Sequence, residues 1–262
     1  MVEVNGSYDG MSGRRALVTG AAGGIGGAIV EVLSASGVAV AAVDRDVDGP
    51  ADEGRWFGKV VAHRADVSDP DQVEEVVDAV ERDLGPIDYL VNCAGILRPG
   101  EVLGMSDEDW LDTIRVNATG VFLVSRAVVR RMVPRRSGAV VTIGSNAAGT
   151  ARVNMAAYAA SKAAVTAFTR CLGLEVARYG IRCNVVAPGS TDTPMVTALW
   201  TGGDAERVSI DGSLESFRTG IPLGRLARPA DVANAVHFLL SDQAAHVTMH
   251  DLTVDGGAAL GH

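Results

Sequence analysis

Cysteine is scarce: the chain of 262 residues has three, Cys93, Cys171 and Cys183. The number is odd and no C-x-x-C spacing occurs. That argues against a disulfide framework or a structural zinc site, and points to a reducing, cytoplasmic compartment. Long apolar runs are missing as well. No stretch of 18 apolar residues exists to span a bilayer, and the opening residues MVEVNGSYDGMSGRR contain no apolar core of a signal peptide. Positive charge is in deficit. Lys and Arg number 23 against 32 Asp and Glu, a net −9, which disfavours a nucleic-acid partner or a polybasic membrane patch. His246 and His250 stand four apart without a third ligand, so no metal is expected. Apolar side chains, at 47%, are plentiful enough for a sizeable core. The 31 glycines sit in short motifs without a repeat, unlike collagen or low-complexity chains. A single domain over residues 1–262 is expected.

Apolar strand-like runs alternate with helical periodicity from end to end. Strands are predicted at 16–19, 38–44, 60–67, 87–95, 138–145, 181–189 and 250–257. Helices are predicted at 23–37, 69–85, 106–136 (bent near Gly120), 156–180 and 229–241. Continuously apolar strands separated by helices imply a parallel sheet covered on both faces. This is an α/β, doubly wound, Rossmann-type fold of seven strands, with its ligand site at the strand carboxyl ends. Residues 190–228 break the rhythm and carry Gly202, Gly203, Gly212 and Gly220, which predicts a helical lid over the substrate pocket.

Three features point to chemistry. TGAAGGIG, Thr19 to Gly26, follows the first strand and opens the first helix. Gly20, Gly24 and Gly26 permit a tight turn, and backbone N–H groups at a helix start suit a pyrophosphate. Asp44 ends the second strand, 24 positions after Gly20, where a carboxylate accepts ribose hydroxyls and repels a 2′-phosphate. That favours NAD, although the adjacent Arg45 softens the preference. Tyr158 and Lys162 are four apart on one helical face. A nearby ammonium stabilises a phenolate and lowers the phenol pKa, which makes Tyr158 a usable general acid/base. Ser145, at the end of the preceding strand, shares that sheet edge and is placed to hold a reacting oxygen. Cys93 lies near the cofactor turn but has no His partner nearby in sequence, so it is expected to be a packing residue.

Together TGAAGGIG, NCAG (92–95), Asn117 in RVNATG, Ser145, YAASK (158–162) and PGSTDT (188–193) resemble the short-chain dehydrogenase/reductase family, in that family's order and over nearly the whole chain. Cys93 stands where the family often has a second Asn. The resemblance implies an NAD-dependent oxidoreductase with Asn117, Ser145, Tyr158 and Lys162 as its catalytic set. It implies cofactor contacts from Gly20, Gly24, Ile25, Gly26, Asp44, Arg45, Asp66, Val67, Asn92, Ala94 and Gly95. Tyr158 and Lys162 add to these, together with the turn holding Pro188, Gly189, Thr191 and Thr193. In this pattern Asn92 braces the central strands, Asp66 and Val67 meet the adenine, and Asn117 anchors a water that relays protons from Lys162. Thr191 and Thr193 hold the carboxamide. A homotetramer of 222 symmetry is implied, pairing helices 106–136 and 156–180 with their mates. Val121, Val124, Val128, Val165, Phe168 and Leu172 are candidate interface positions.

A closer likeness within the family covers AGILRPG (94–100), TARVNMAAYAASKAA (150–164), RCNVVAPGSTDTPM (182–195), SLESFRTGIPLGRLARP (213–229) and HVTMHDLTVDGGAALG (246–261). It is to enzymes that oxidise a small anionic cyclohexadiene-diol acid to the catechol acid of catecholate siderophores. Such a substrate needs a cation and apolar walls. Arg152, six residues before Tyr158, is the first choice for a carboxylate clamp and Arg98 the second, with Leu97 and Met195 as wall. Alternatives remain open: an enzyme for the amino analogue, dihydro-3-hydroxyanthranilate, in an antibiotic pathway; a general carbonyl reductase; or a catalytically inactive nucleotide-sensing regulator.

Overall fold

The computed structural model describes residues 9–47, 58–197 and 205–261. Seven parallel strands form one sheet in the order β3-β2-β1-β4-β5-β6-β7. They are β1 (Arg15–Thr19), β2 (Ala39–Asp44), β3 (Val60–Arg64), β4 (Tyr89–Asn92), β5 (Gly138–Ile143), β6 (Ile181–Pro188) and β7 (Asp251–Val254). The strand order reverses between β1 and β4, so the connections leaving these two strands diverge to opposite faces and leave a crevice at the carboxyl ends. The central strands are buried on both faces, as their unbroken apolar sequences require.

On one face, α1 (Gly24–Ala35) packs with α8 (Pro229–Leu240), burying Ile29, Leu33, Val236 and Leu239. On the other, α2 (Pro70–Leu84) and α4 (Gly120–Arg135) bury Val77, Val80, Val124, Val128 and Met132. The start of α2 carries the signals expected of it: Pro70 at the first turn, and an Asp69 side chain that accepts from the amides of Asp71 and Gln72.

The helix predicted over 106–136 is two helices. α3 (Asp107–Ile114) and α4 are joined by a single π turn, Arg115–Thr119, so the interruption lies ahead of the expected bend at Gly120. Its cause is tertiary. Asn117, inside the π turn, holds the backbone of Ile96, and Gly120 lies so close to Val67 that a Cβ would sit 2.8 Å from its Cγ2. The helix predicted over 156–180 is α5 (Ala156–Val176), closed by a short 3-10 turn, Ala177–Tyr179. The strand predicted over 60–67 stops at Arg64, which leaves Asp66 and Val67 on the loop beyond it. Within 190–228 lie α6 (Pro194–Thr197) and α7 (Ala205–Asp211), while Gly202 and Gly203 lie outside the described residues.

Candidate active site

The strand carboxyl ends open on a cleft of about 360 Å³. Its floor is the turn between β1 and α1. Gly20 has φ 68, and a Cβ there would lie 2.7 Å from the backbone of Ala94. At Gly26 a Cβ would fall on the carbonyl oxygen of Gly20. The turn is therefore closed to side chains from both sides. The α1 N-cap, Gly23, has no side chain to cap the helix, so the first-turn amides face the cleft undirected by protein. A backbone cradle of this shape fits the pyrophosphate of a dinucleotide.

Asp44 forms one wall. Its carboxylate accepts from the amides of Ala22 (3.0 Å) and Asp46 (3.0 Å), while Arg45 leans to Asp46 at 3.7 Å. Asp66 and Val67 line the same end. Burial works against ionisation of Asp66, but hydrogen bonds from the Ser68 hydroxyl (2.6 Å) and amide (2.8 Å) prevail and hold its carboxyl below the ordinary value. Ile25, Ala94 and Gly95 complete this part of the cleft.

The other end gathers Tyr158, Lys162, Ile143, Thr193 and Met195. Ser145 is near enough to pull the Tyr158 phenol down, and its hydroxyl accepts from the Ala147 amide at 3.1 Å. Lys162 donates to the carbonyl of Ile143 at 2.8 Å and lies 5.6 Å from the Tyr158 ring centroid. Burial pushes the Tyr158 phenol up to about 12, against a lowering pull from Ser145, and pushes the Lys162 ammonium down to about 8. The expected lowering of the phenol by Lys162 is therefore absent from the protein alone. The lysine is spent on a main-chain carbonyl, and desolvation of the phenol dominates. Cys93 lines the cleft, but burial raises its thiol to about 12, which leaves it unreactive and a packing group.

Several expected contacts lie behind the cleft instead of on it. Asn92 braces the sheet: its amide donates to Ser125 (2.9 Å) and Thr142 (3.4 Å). Asn117, fully buried, accepts from the Ile96 amide (2.8 Å) and donates to the Ile96 carbonyl (2.9 Å) and the Ser161 hydroxyl (3.0 Å). It therefore fixes the loop carrying Ala94 and Gly95 beside Lys162. Pro188 ends β6; Gly189 and Thr191 follow it, and Thr191 is tied back by a bridge to Ala227. Thr193 comes forward to the glycine turn, where a Cβ on Gly24 would lie 2.9 Å from its Cγ2.

Of the two proposed clamps, Arg98 is exposed and engaged, 3.7 Å from Asp109 and 3.5 Å from Asp112 on α3. Arg152 is half-buried, and burial lowers its pKa against the field of Asp255. Leu97 is half-buried outside the cleft. Sequence reasoning missed Ser161, which seats Asn117 and is legible within YAASK. It also missed Asn146, Arg218 and Asp255, whose sequence separations carried no local signal.

A family described as Enoyl-(Acyl carrier protein) reductase matches residues 20–259. A Bacillus subtilis (strain 168) protein, 2,3-dihydro-2,3-dihydroxybenzoate dehydrogenase, is 52% identical over 259 residues, covering 96% of this chain and 98% of the relative. The Escherichia coli (strain K12) protein of the same name is 44% identical over 250 residues, covering 95% and 98%. The crystal structure of levodione reductase superposes with a TM-score of 0.88 at 31% identity, covering 96% of this chain and 99% of that one. The chain belongs to the short-chain dehydrogenase/reductase family. As a dehydrogenase of that family it is an oxidoreductase that works with a nicotinamide cofactor, and the cradle at Gly20, Gly24 and Gly26 has the shape such a cofactor needs. No helix among the described residues is long and apolar enough to cross a membrane.

Proposed function

We propose that this chain is the NAD-dependent dehydrogenase of 2,3-dihydro-2,3-dihydroxybenzoate, forming the catechol acid 2,3-dihydroxybenzoate for catecholate siderophores in the cytoplasm. The observation that carries this reading is 52% identity over 96% of the chain to a relative named for that reaction. When bound, the oxidised nicotinamide supplies the acceptor for the hydride leaving C3 and a positive charge beside the phenol. Tyr158 takes the proton of the C3 hydroxyl, and Ser145 holds that oxygen. Lys162 steadies the phenolate and grips the nicotinamide ribose, while Asn117 keeps the neighbouring loop in place and anchors a proton-relaying water. The cyclohexadienone formed enolises to the catechol, so aromatisation drives oxidation forward. Residues 190–228, within one domain, cover the substrate. Met195, on the cleft, serves as apolar wall, and Arg152 receives the carboxylate.

Asp44 supports NAD over NADP. Its carboxylate would lie against a 2′-phosphate, and Arg45 is drawn to Asp46 instead of offering a counter-charge. Initial rates with the hydroxy and amino dihydro-acids, each with NAD and NADP, test the reading. The expected result is fastest turnover of the hydroxy acid with NAD, and Asp44→Ala is expected to weaken NAD use and admit NADP. A faster amino substrate, or wild-type preference for NADP, would overturn the corresponding assignment.

A homotetramer is part of the same proposal. Val121, Val124, Val128 and Val165, expected at its interface, are buried in the protomer and belong to its core. The exposed apolar groups of α4 and α5 are Phe122 (40% exposed), edge-on to Phe168 at 6.1 Å, and Leu174 (70%), and these carry the interface. Light scattering at micromolar concentration is expected to give four chains; a monomer sinks the proposal.

A further inference from the structure

Among the described residues, two arginines on segments that follow the carboxyl ends of β5 and β6 have no ionic partner. Among the described residues, no carboxylate oxygen lies within 4.0 Å of Arg152 or Arg218. Both guanidiniums are half-buried. Burial lowers each of them, and at Arg218 the charge of Arg152 adds to the effect, so the two cations stand in one another's field. Two like charges withdrawn from water without a counter-ion are unfavourable, and an anion placed between them relieves both.

Their positions are set by the fold. Arg218 closes a tight hairpin in which Ser213 and Arg218 exchange backbone hydrogen bonds of 2.9 Å each way. Gly212 (φ 86) and Gly220 (φ 82) allow its two arms to touch: a Cβ on Gly212 would lie 2.5 Å from the Arg218 carbonyl oxygen. Phe217 is held at φ 53, a conformation a phenylalanine adopts only when its surroundings impose it. The Arg218 guanidinium donates to the Ser190 hydroxyl at 3.2 Å, which uses one of its five N–H groups. Ser190 follows Gly189, where a Cβ would lie 2.6 Å from that of Asp255.

Asp255, whose charge is felt at Arg152, is already occupied. It accepts from the side-chain amide of Asn146 (3.1 Å) and from the backbone amides of Gly257 and Ala259 (2.8 Å each). Asn146 in turn follows Ser145. Arg152 stands on the loop that leaves Ser145, so this chain of contacts leads from Arg218 back to the loop that carries Arg152.

We propose that Arg218 is a second carboxylate-binding residue, which with Arg152 grips the substrate carboxylate between two guanidiniums and sets the specificity of the site for acids. This rests on the proposed function for the identity of the substrate. The clamp itself requires only a small ring bearing a carboxylate. Arg152 approaches from the loop after β5 and Arg218 from the hairpin, so the anion ties the two segments together over the ring.

The test combines turnover with direct binding. Arg218→Ala is expected to raise KM for the dihydrodiol acid about ten- to hundred-fold, with kcat within a few-fold and NAD affinity unchanged. The ratio of the neutral cyclohexadiene diol's KM to that of the acid should fall by the same factor, and Arg218→Lys should recover part of it. Combined with Arg152→Ala, the loss should be smaller than the product of the single losses, because one carboxylate serves both residues. Arg82→Ala, exposed on α2 and 3.6 Å from Asp83, should leave KM unchanged. Calorimetry with benzoate and with 2,3-dihydroxybenzoate should show matching losses of affinity in Arg218→Ala. Equal losses on acid and neutral diol, or unchanged benzoate affinity, would overturn the clamp. Benzoate binding that depends on Arg218 in a protein unable to oxidise the dihydrodiol acid would overturn the proposed substrate and leave the clamp standing.

Discussion

Replacing Tyr158 by phenylalanine is expected to lower turnover by about two to four decades while leaving folding and nicotinamide binding intact. The ring stays, and with it the packing 5.6 Å from Lys162; only the phenol oxygen on the Ser145 side is lost. The pH dependence follows from the direction of the shifts. In the protein alone the phenol stands near 12, so at neutral pH it is protonated and raising the pH increases the phenolate that oxidation requires. Lys162, brought down to about 8, loses its positive charge above that value and with it the support for phenolate. For wild type, kcat/KM is therefore expected to rise with pH from the acid side and to stop rising near the lysine ionisation. In Tyr158→Phe the residual rate should lose the rising limb. Activity within a few-fold of wild type, or an unchanged profile, would remove Tyr158 from its role.

Gly26→Ala is expected to damage cofactor binding and stability together. The new methyl would overlie the Gly20 carbonyl oxygen, 2.7 Å from its carbon and 3.0 Å from the Ala21 Cα. All three obstacles are backbone, so the turn itself has to move. Overpacking of this kind costs about 1–3 kcal/mol. In a chain of this size that corresponds to roughly 2–4 °C of melting temperature per kcal/mol. The displaced turn also misdirects the α1 amides, so NAD affinity should fall at least about tenfold, as expected when charge-assisted hydrogen bonds are lost. Gly149→Ala, at a position with open space around it and no positive φ, is the control. Thermal unfolding with and without NAD checks both effects; a variant that melts and binds as wild type does would show that this turn is not the cradle.

Much of this protein is written in local patterns. Strand–helix alternation set the seven parallel strands, because apolar runs and 3.6-residue periods are written in adjacent residues. The glycine turn was legible for the same reason: a tight β–α connection requires residues without side chains at fixed offsets. Tyr158 and Lys162 share a helical face by spacing alone. Other features depended on residues far apart in the chain. The π turn at Arg115–Thr119 exists because Asn117 must reach the backbone of Ile96, 21 positions earlier. Val121, Val124 and Val128 read equally as core or interface until the packing of α4 on the sheet buried them.

Charge was the least legible property. As sequence, Arg152 stood ahead of Arg98 only by its closeness to Tyr158 and its place in the loop after the Ser145 strand. Only the fold set Arg98 against Asp109 and Asp112, left Arg152 with no carboxylate partner among the described residues, and brought Arg218 into its field from 66 positions away in the numbering. The elevated phenol of Tyr158 was likewise decided by burial, which spacing does not report. Backbone geometry is governed by neighbours along the chain, whereas desolvation and ion pairing are governed by neighbours in space. Neighbours along the chain therefore set the architecture and marked the candidate reacting residues, while packing set which charges found partners among the described residues.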